Sequence, residues 1–307
     1  LADSPRRISP ATVFFALLAL ALGIALYLKT RPSERRPPPP PPVFHAARRP
    51  RPHAPTPTRA LAPQPSPAAP AVASARIAIV IDDLGNDREA LERIAGWPFP
   101  VAGAVLPGLP ESADAARRLE ASGKEVLLHL PMEPDGYPQV RPGPGVVLRS
   151  DSDEKIARTV SEDLDSVPGA VGVNNHMGSA ATADPRVMRA IVRVLSERRL
   201  FLLDSRTTEA TVARRIADEA SLPAVSRRVF LDATEGPDAV ERAFRDLLNK
   251  ARRDGQALAI GHPHPTTLAL LERELPLLAA GNVELVTVGS LTRVSRSRGP
   301  KAKVAVK

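Results

Sequence analysis

From residue 76 to about 293 the chain repeats one pattern, an apolar run of four to six residues followed by an amphipathic stretch. The apolar runs at 76–82, 101–106, 125–130, 170–174, 200–204, 228–232, 257–261 and 283–288 have the length and composition of strands buried on both faces. The intervening stretches at 87–94, 111–120, 153–164, 185–198, 238–252 and 266–278 space their apolar residues by three and four, which predicts helices with one buried side. Helix starts carry capping signals: Asn86 with Glu89 three residues on, Ser152 ahead of Asp153 and Glu154, and Asp184 ahead of Pro185. Such alternation over about 215 residues makes a parallel α/β domain, either a (β/α) barrel or a doubly wound sheet. A doubly wound sheet would usually follow its first strand with a glycine-rich phosphate loop. Asp82-Asp83-Leu84-Gly85 stands there instead, so the barrel is favoured.

The flanks are of another kind. Residues 32–75 hold 15 prolines and almost no large apolar side chains, so 29–75 reads as a proline-rich linker without a core, reaching roughly 130 Å if extended. Before it, behind a basic segment at 1–10, residues 11–28 form an uncharged apolar run just long enough to cross a bilayer. No small-x-small cleavage site follows, which favours an uncleaved transmembrane signal anchor over a removed signal peptide. Lys29, Arg31, Arg35 and Arg36 outnumber Arg6 and Arg7, and by charge alone this would hold the linker in the cytoplasm. The net charge of +8 also resides in the flanks, because residues 76–292 contain 26 basic and 32 acidic residues and the tail at 293–307 has six cations and no acid. A nucleic-acid partner is therefore not expected, and the basic ends suit anionic lipid or cell-wall polymer. With no cysteine, disulfides and thiol catalysis are excluded, and a zinc site would need His, Asp, Glu or water.

Several of the apolar runs end in a group that can bind a metal or move a proton: Asp82-Asp83, His129, Asn174-Asn175-His176, Asp204 and His262. Parallel strands share a polarity, so these ends gather on one rim, where α/β enzymes keep their sites. Adjacent side chains in a strand alternate, so of Asp82 and Asp83 one can ligate a metal while the other acts as general base; otherwise Asp83 caps a helix and Asp82 faces solvent. A helical turn after His129 would bring Glu133 to the same face. His176 lies in a polar cluster whose Gly178 permits close backbone approach to a ligand. Prolines brace His262, with His264 as a surface residue; Asp204 either orients a histidine or pairs with Arg206. His45 and His53 fall in the linker, with no expected role.

Five ordered motifs carry a resemblance: Ile81-Asp82-Asp83-Leu84-Gly85, His129-Leu130-Pro131-Met132-Glu133-Pro134, Gly172 to Ser179, Asp204-Ser205-Arg206-Thr207 and Gly261-His262-Pro263. Together they resemble the divergent polysaccharide deacetylase family, within the polysaccharide deacetylase and carbohydrate esterase superfamily. The resemblance implies a distorted (β/α) barrel at 76–292 that removes acetyl groups from acetylated cell-wall polysaccharide or peptidoglycan. It implies Asp82 as base, Asp83 and His129 as ligands of a divalent metal such as zinc, and His262 as acid. Glu133 stands where the superfamily has a second metal histidine, and the Asn-Asn-His cluster replaces its arginine and proline motif. His176 is the expected substitute ligand, Asp204 the expected orienting group, and Glu133, Asn174, Asn175, Ser179 and Arg206 the expected ligand or substrate contacts. Export follows from the resemblance, placing the barrel on the periplasmic or extracytoplasmic side of a single-pass inner (cytoplasmic) membrane anchor. A non-catalytic envelope protein that binds glycan or a protein partner through the same barrel stays open beside the enzyme.

Overall fold

The structure, a computed structural model, describes residues 74–292. The expected segments at 1–10, 11–28 and 293–307, and all but the end of 29–75, lie outside the described residues. Among the described residues no helix is long and apolar enough to cross a membrane.

Strands and helices alternate as β1 (Ala75–Leu84), α1 (Arg88–Ala95), β2 (Ala102–Val105), α2 (Ser112–Ala121), β3 (Glu125–Met132), α3 (Asp153–Ser166), β4 (Ala170–Met177), α4 (Pro185–Arg198), β5 (Phe201–Asp204), α5 (Ala213–Glu219), β6 (Ala224–Ser226), β7 (Val229–Phe230), α6 (Pro237–Asp254), β8 (Gln256–Gly261), α7 (Pro265–Glu274), β9 (Val283–Leu285) and α8 (Val288–Thr292). The strand order is β6-β5-β4-β3-β2-β1-β8-β7, all parallel, with β9 beside the start of β1. Only Arg227 and Arg228 separate β6 from β7, the two edges of this path. That link spans about 11 Å at full extension, so the sheet has to curl until its edges are neighbours. No ladder joins β6 to β7 among the described residues, and the fold is a curled half-barrel rather than a fully hydrogen-bonded barrel.

Side-chain alternation sorts each strand into two cores. In β1, Ile77, Ile79 and Ile81 pack outward beneath the helices, while Ala78 and Val80 point into the barrel with Leu127, Leu203, Leu258 and Ile260. Val288 and Leu291 of α8 complete that inner cluster. The inward parity continues past the apolar residues to Asp82 in β1, His129 in β3, Asn174 and His176 in β4 and His262 after β8. These five residues therefore crown one interior.

Elements that the periodicity missed are short. β6, α5 and α8 have three, seven and five residues, too few for a pattern to develop. Two caps match expectation, with Ser152 accepting from Lys155 N and Asp184 from Arg186 N. The third differs: Asp87, not Asn86, caps α1 by accepting from Ala90 N at 2.9 Å.

Candidate active site

Both carboxylates at the end of β1 reach the same place, contrary to the alternation expected of a strand. Asp83 adopts a left-handed backbone (φ 58°) at a register shift between Ile81 and Leu84, and this turns its side chain back over the rim. A non-glycine residue in that region costs about 1–3 kcal/mol, and such outliers concentrate at functional sites. Met177 (φ 51°) and Arg206 (φ 50°) repeat the device at the ends of β4 and β5.

The result is a triangle of ligand atoms. Asp83 Oδ1 lies 3.1 Å from His129 Nε2 and 3.0 Å from His176 Nδ1, and the two nitrogens are 3.1 Å apart. Donors bound about 2.1 Å from one ion stand about 3.0–3.4 Å from each other. Asp83 Oδ1 is buried yet accepts no hydrogen bond. Without an ion this oxygen is satisfied only by protonated imidazoles that donate to it, whereas a cation satisfies all three corners with both rings neutral. The donor set of two imidazoles and a carboxylate suits zinc and neighbouring divalent metals, so Asp83, His129 and His176 fit such an ion. Burial works to raise the Asp83 carboxyl, but the two imidazoles, once protonated and donating to it, outweigh this and hold the group well below the usual carboxylate range.

Asn174, fully buried, wires this triangle to Asp82. Its amide donates to Asp82 Oδ1 at 2.8 Å, which leaves its oxygen to accept from His129 Nδ1 at 2.9 Å. A carboxylate only accepts, so the amide orientation and the histidine tautomer are both fixed, with the Nε2 lone pair aimed into the triangle. Asp82 Oδ2 is 3.5 Å from His129 Nε2. Burial raises the Asp82 pKa, and the charge of His129 and the Asn174 hydrogen bond offset this only in part.

On the other flank, His262 Nε2 lies 3.9 Å from Asp83 Oδ2. Its Nδ1 is held at 2.8 Å by Asp232 Oδ1, while Asp232 Oδ2 accepts from His262 N at 2.7 Å and from Thr267 Oγ1 at 2.8 Å. Burial works to lower the His262 pKa, but Asp232 dominates and raises it to about 8.

The divergent polysaccharide deacetylase model matches residues 79–292. An uncharacterized protein of Haemophilus influenzae is 36% identical over 229 residues, covering 75% of this chain and 81% of that one. The uncharacterized protein YibQ of Escherichia coli is 35% identical over 237 residues, covering 76% and 73%. Among solved structures, the uncharacterized protein ATU2773 of Agrobacterium tumefaciens superposes with a TM-score of 0.69 at 24% identity, over 74% of this chain and 92% of that one. The chain belongs to the divergent polysaccharide deacetylase family.

Within this family member, the expected residues separate into two sets. Asp82, Asp83, His129, Asn174, His176 and His262 converge on the rim. Glu133 does not join them, because β3 runs on to Met132 with no helical turn after His129. The Glu133 carboxylate instead accepts from Arg149 N and Nε at 2.6 and 3.0 Å. Among the described residues Asp204 orients no histidine and makes no ion pair with the Arg206 guanidinium. It sits at outward parity in β5 and accepts from Arg206 N and Thr211 Oγ1, while Arg206 pairs with Glu209 at 2.6 Å. Asn175 ties β4 to the loop after β5, accepting from Ser205 N and donating to Met177 O. Ser179 accepts from Asp135 N. Asn175 and Ser179 thus fasten the rim loops. His264, exposed, lies close enough to Asp232 and His262 to form a second group of possible ligands.

Asp232 is the residue that sequence reasoning passed over. It ends the apolar run at 228–232 as the other site residues end theirs, so the same signal could have found it.

Proposed function

We propose that this chain is a metal-dependent deacetylase that hydrolyses N- or O-acetyl groups on acetylated cell-envelope polysaccharide. The observation that carries the reading is the Asp83–His129–His176 triangle, flanked within 4 Å by a carboxylate and a histidine with opposed proton demands. A divalent ion held by the triangle, with zinc the first choice for two imidazoles and a carboxylate, would supply Lewis acidity and render a water acidic.

The chain's own residues account for the proton traffic. Asp82, raised by burial and oriented by Asn174, accepts the proton of the attacking water. His262, held by Asp232 and protonated at neutral pH, faces the rim with Nε2 and donates to the departing amine nitrogen or alcohol oxygen. Water adds to the acetyl carbon, the bond to the sugar nitrogen or oxygen breaks, and acetate leaves. Asn174 binds base and ligand together, so neither can move without the other. Residues 11–28 as a single-pass anchor and 29–75 as a spacer would hold the domain outside the inner membrane, within reach of a fixed polymer.

The test is acetate release from N-acetylglucosamine oligomers and from peptidoglycan by the full chain, metal-stripped and then reloaded with zinc. Release that depends on added metal and falls in Asp82→Asn is the expected result. A fully loaded protein that binds these glycans without releasing acetate would overturn the catalytic reading.

A further inference from the structure

The curled sheet has a seam. β6 pairs only with β5, and the first half of β8 pairs only with β1, so no ladder bridges them among the described residues. Between them opens a cavity of about 770 Å³, walled by Val225 and Ser226 on one side and Gln256, Ala257 and Leu258 on the other. That is within the range of about 300–1,000 Å³ found for small-molecule sites. Its charged lining is five cationic side chains against two carboxylates, Glu209 and Asp254. Four of those cations have carboxylate partners, among them Arg206 with Glu209, Arg228 with Asp254 and Lys250 with Asp246. Arg214 likewise pairs with Asp218.

Arg227 differs. It is half-buried, and no carboxylate among the described residues lies within ion-pair distance of it. Two backbone carbonyls and a ring fix its plane instead: Nε donates to Ser205 O at 2.6 Å, Nη2 donates to Arg206 O at 2.8 Å, and the guanidinium carbon sits 3.7 Å from the Phe230 ring centroid. Nη1 is not used by these contacts. Burial, with the charge of Arg206 beside it, works against the Arg227 cation, and the more distant carboxylates of Asp204, Glu209 and Asp82 offset this only in part. A guanidinium held flat, partly desolvated and without a carboxylate in direct contact is preorganised for a planar or tetrahedral oxyanion.

We infer that the seam cleft is a binding site for a multivalent oxyanion, carboxylate or phosphate, read by Arg227 with the flanking Arg228 and Lys250. The tail at 293–307, with six cations and no acid, has the wrong charge to be the occupant. The cleft shares no residue with the triangle at the rim, so each stands or falls without the other.

The experiment is isothermal titration of the full chain at low salt, after metal has been stripped with a chelator and the chelator dialysed away, so that no ion at the rim can capture the probe and no polycarboxylate competes for the cleft. Inorganic phosphate is the titrant in one arm and citrate in the other. One saturable site in at least one arm is expected, weakened about tenfold or more in Arg227→Met. The tighter arm identifies the group that is read. Where Arg227→Met does not fold, Arg227→Lys decides, because a point charge without the planar fork should bind several-fold more weakly. Absence of saturable binding in both arms, or unchanged affinity in the folded Arg227 variant, overturns the assignment.

Discussion

Around Asp83 a buried carboxylate oxygen faces two imidazole nitrogens at 3.0 and 3.1 Å and accepts no hydrogen bond. Around Asp232 both oxygens are taken, one by His262 Nδ1 and the other by His262 N and Thr267 Oγ1. Each cluster offers a carboxylate and two histidines in one small volume. Their hydrogen bonding separates them. The first converges lone pairs on one centre and fits a cation, whereas the second spends its carboxylate on fixing one ring and raising its proton affinity. Composition alone would suit a metal at both; under the proposed function, the state of each carboxylate oxygen suits the first to an ion and the second to a mobile proton.

The contrast breaks most visibly by removing a carboxylate from each cluster. Asp83→Ala should abolish stoichiometric metal and lower deacetylation by about 1,000-fold or more, while Asp232→Ala should keep its metal. Elemental analysis beside acetate release decides the matter. Loss of metal in Asp232→Ala as well would merge the two clusters into one function. Next in size is Asp82→Asn, expected to cut turnover by about 100- to 10,000-fold with metal content unchanged, since an amide cannot take the proton of water. A metal-free Asp82→Asn protein would move Asp82 from base to ligand.

Asp232→Asn sharpens the same contrast by a smaller amount. His262 gains its proton affinity from Asp232, so in the parent the protonated acid is available below about pH 8 and is lost as pH rises through that value. In the variant, burial is no longer outweighed by Asp232, so the loss should begin at lower pH. At pH 7.5 the rate should fall about tenfold or more, with activity recovering as pH is lowered. An NMR titration of the His262 ring should move by the same amount, and an unmoved titration would leave Asp232 a purely structural cap.

Most of this geometry was legible because β-strands encode direction. Ala78 and Val80 face the barrel, so Asp82 follows by parity, and the same count from Leu127, Leu258 and Ile260 delivers His129 and His262. The rest was set by tertiary context. The left-handed turn at Asp83 has no local signal, since aspartate tolerates that region without announcing it. Glu133 and Asp204 carry the same residue types as true rim groups but are claimed by Arg149 and by Arg206 N and Thr211 respectively, partners decided by loop paths. The proline-rich and apolar segments before residue 74 present no such test, because their reading rests on composition.

A third carboxylate supplies the control for the first. Asp163 of α3, like Asp83, has a buried oxygen without a hydrogen-bond partner, and Gly145 packs directly against it. No imidazole faces it, and the outcome is opposite: burial, with the charge of Glu162 adding to it, raises the Asp163 pKa to about 7. An acid whose pKa is raised by folding keeps its proton in the folded state after the unfolded chain has released it. Stability should therefore fall as pH rises from about 3.8 to about 7, with the full cost present above that range. Asp163→Asn removes the ionisation, so it should match the parent near pH 4 and exceed it at pH 8 by about 2–4 kcal/mol. Denaturant melts at the two pH values measure the difference. Equal stability of the two proteins at both pH values would mean that a buried orphan carboxylate costs nothing in this fold. The orphaned oxygen of Asp83 would then cease to be an argument for an ion.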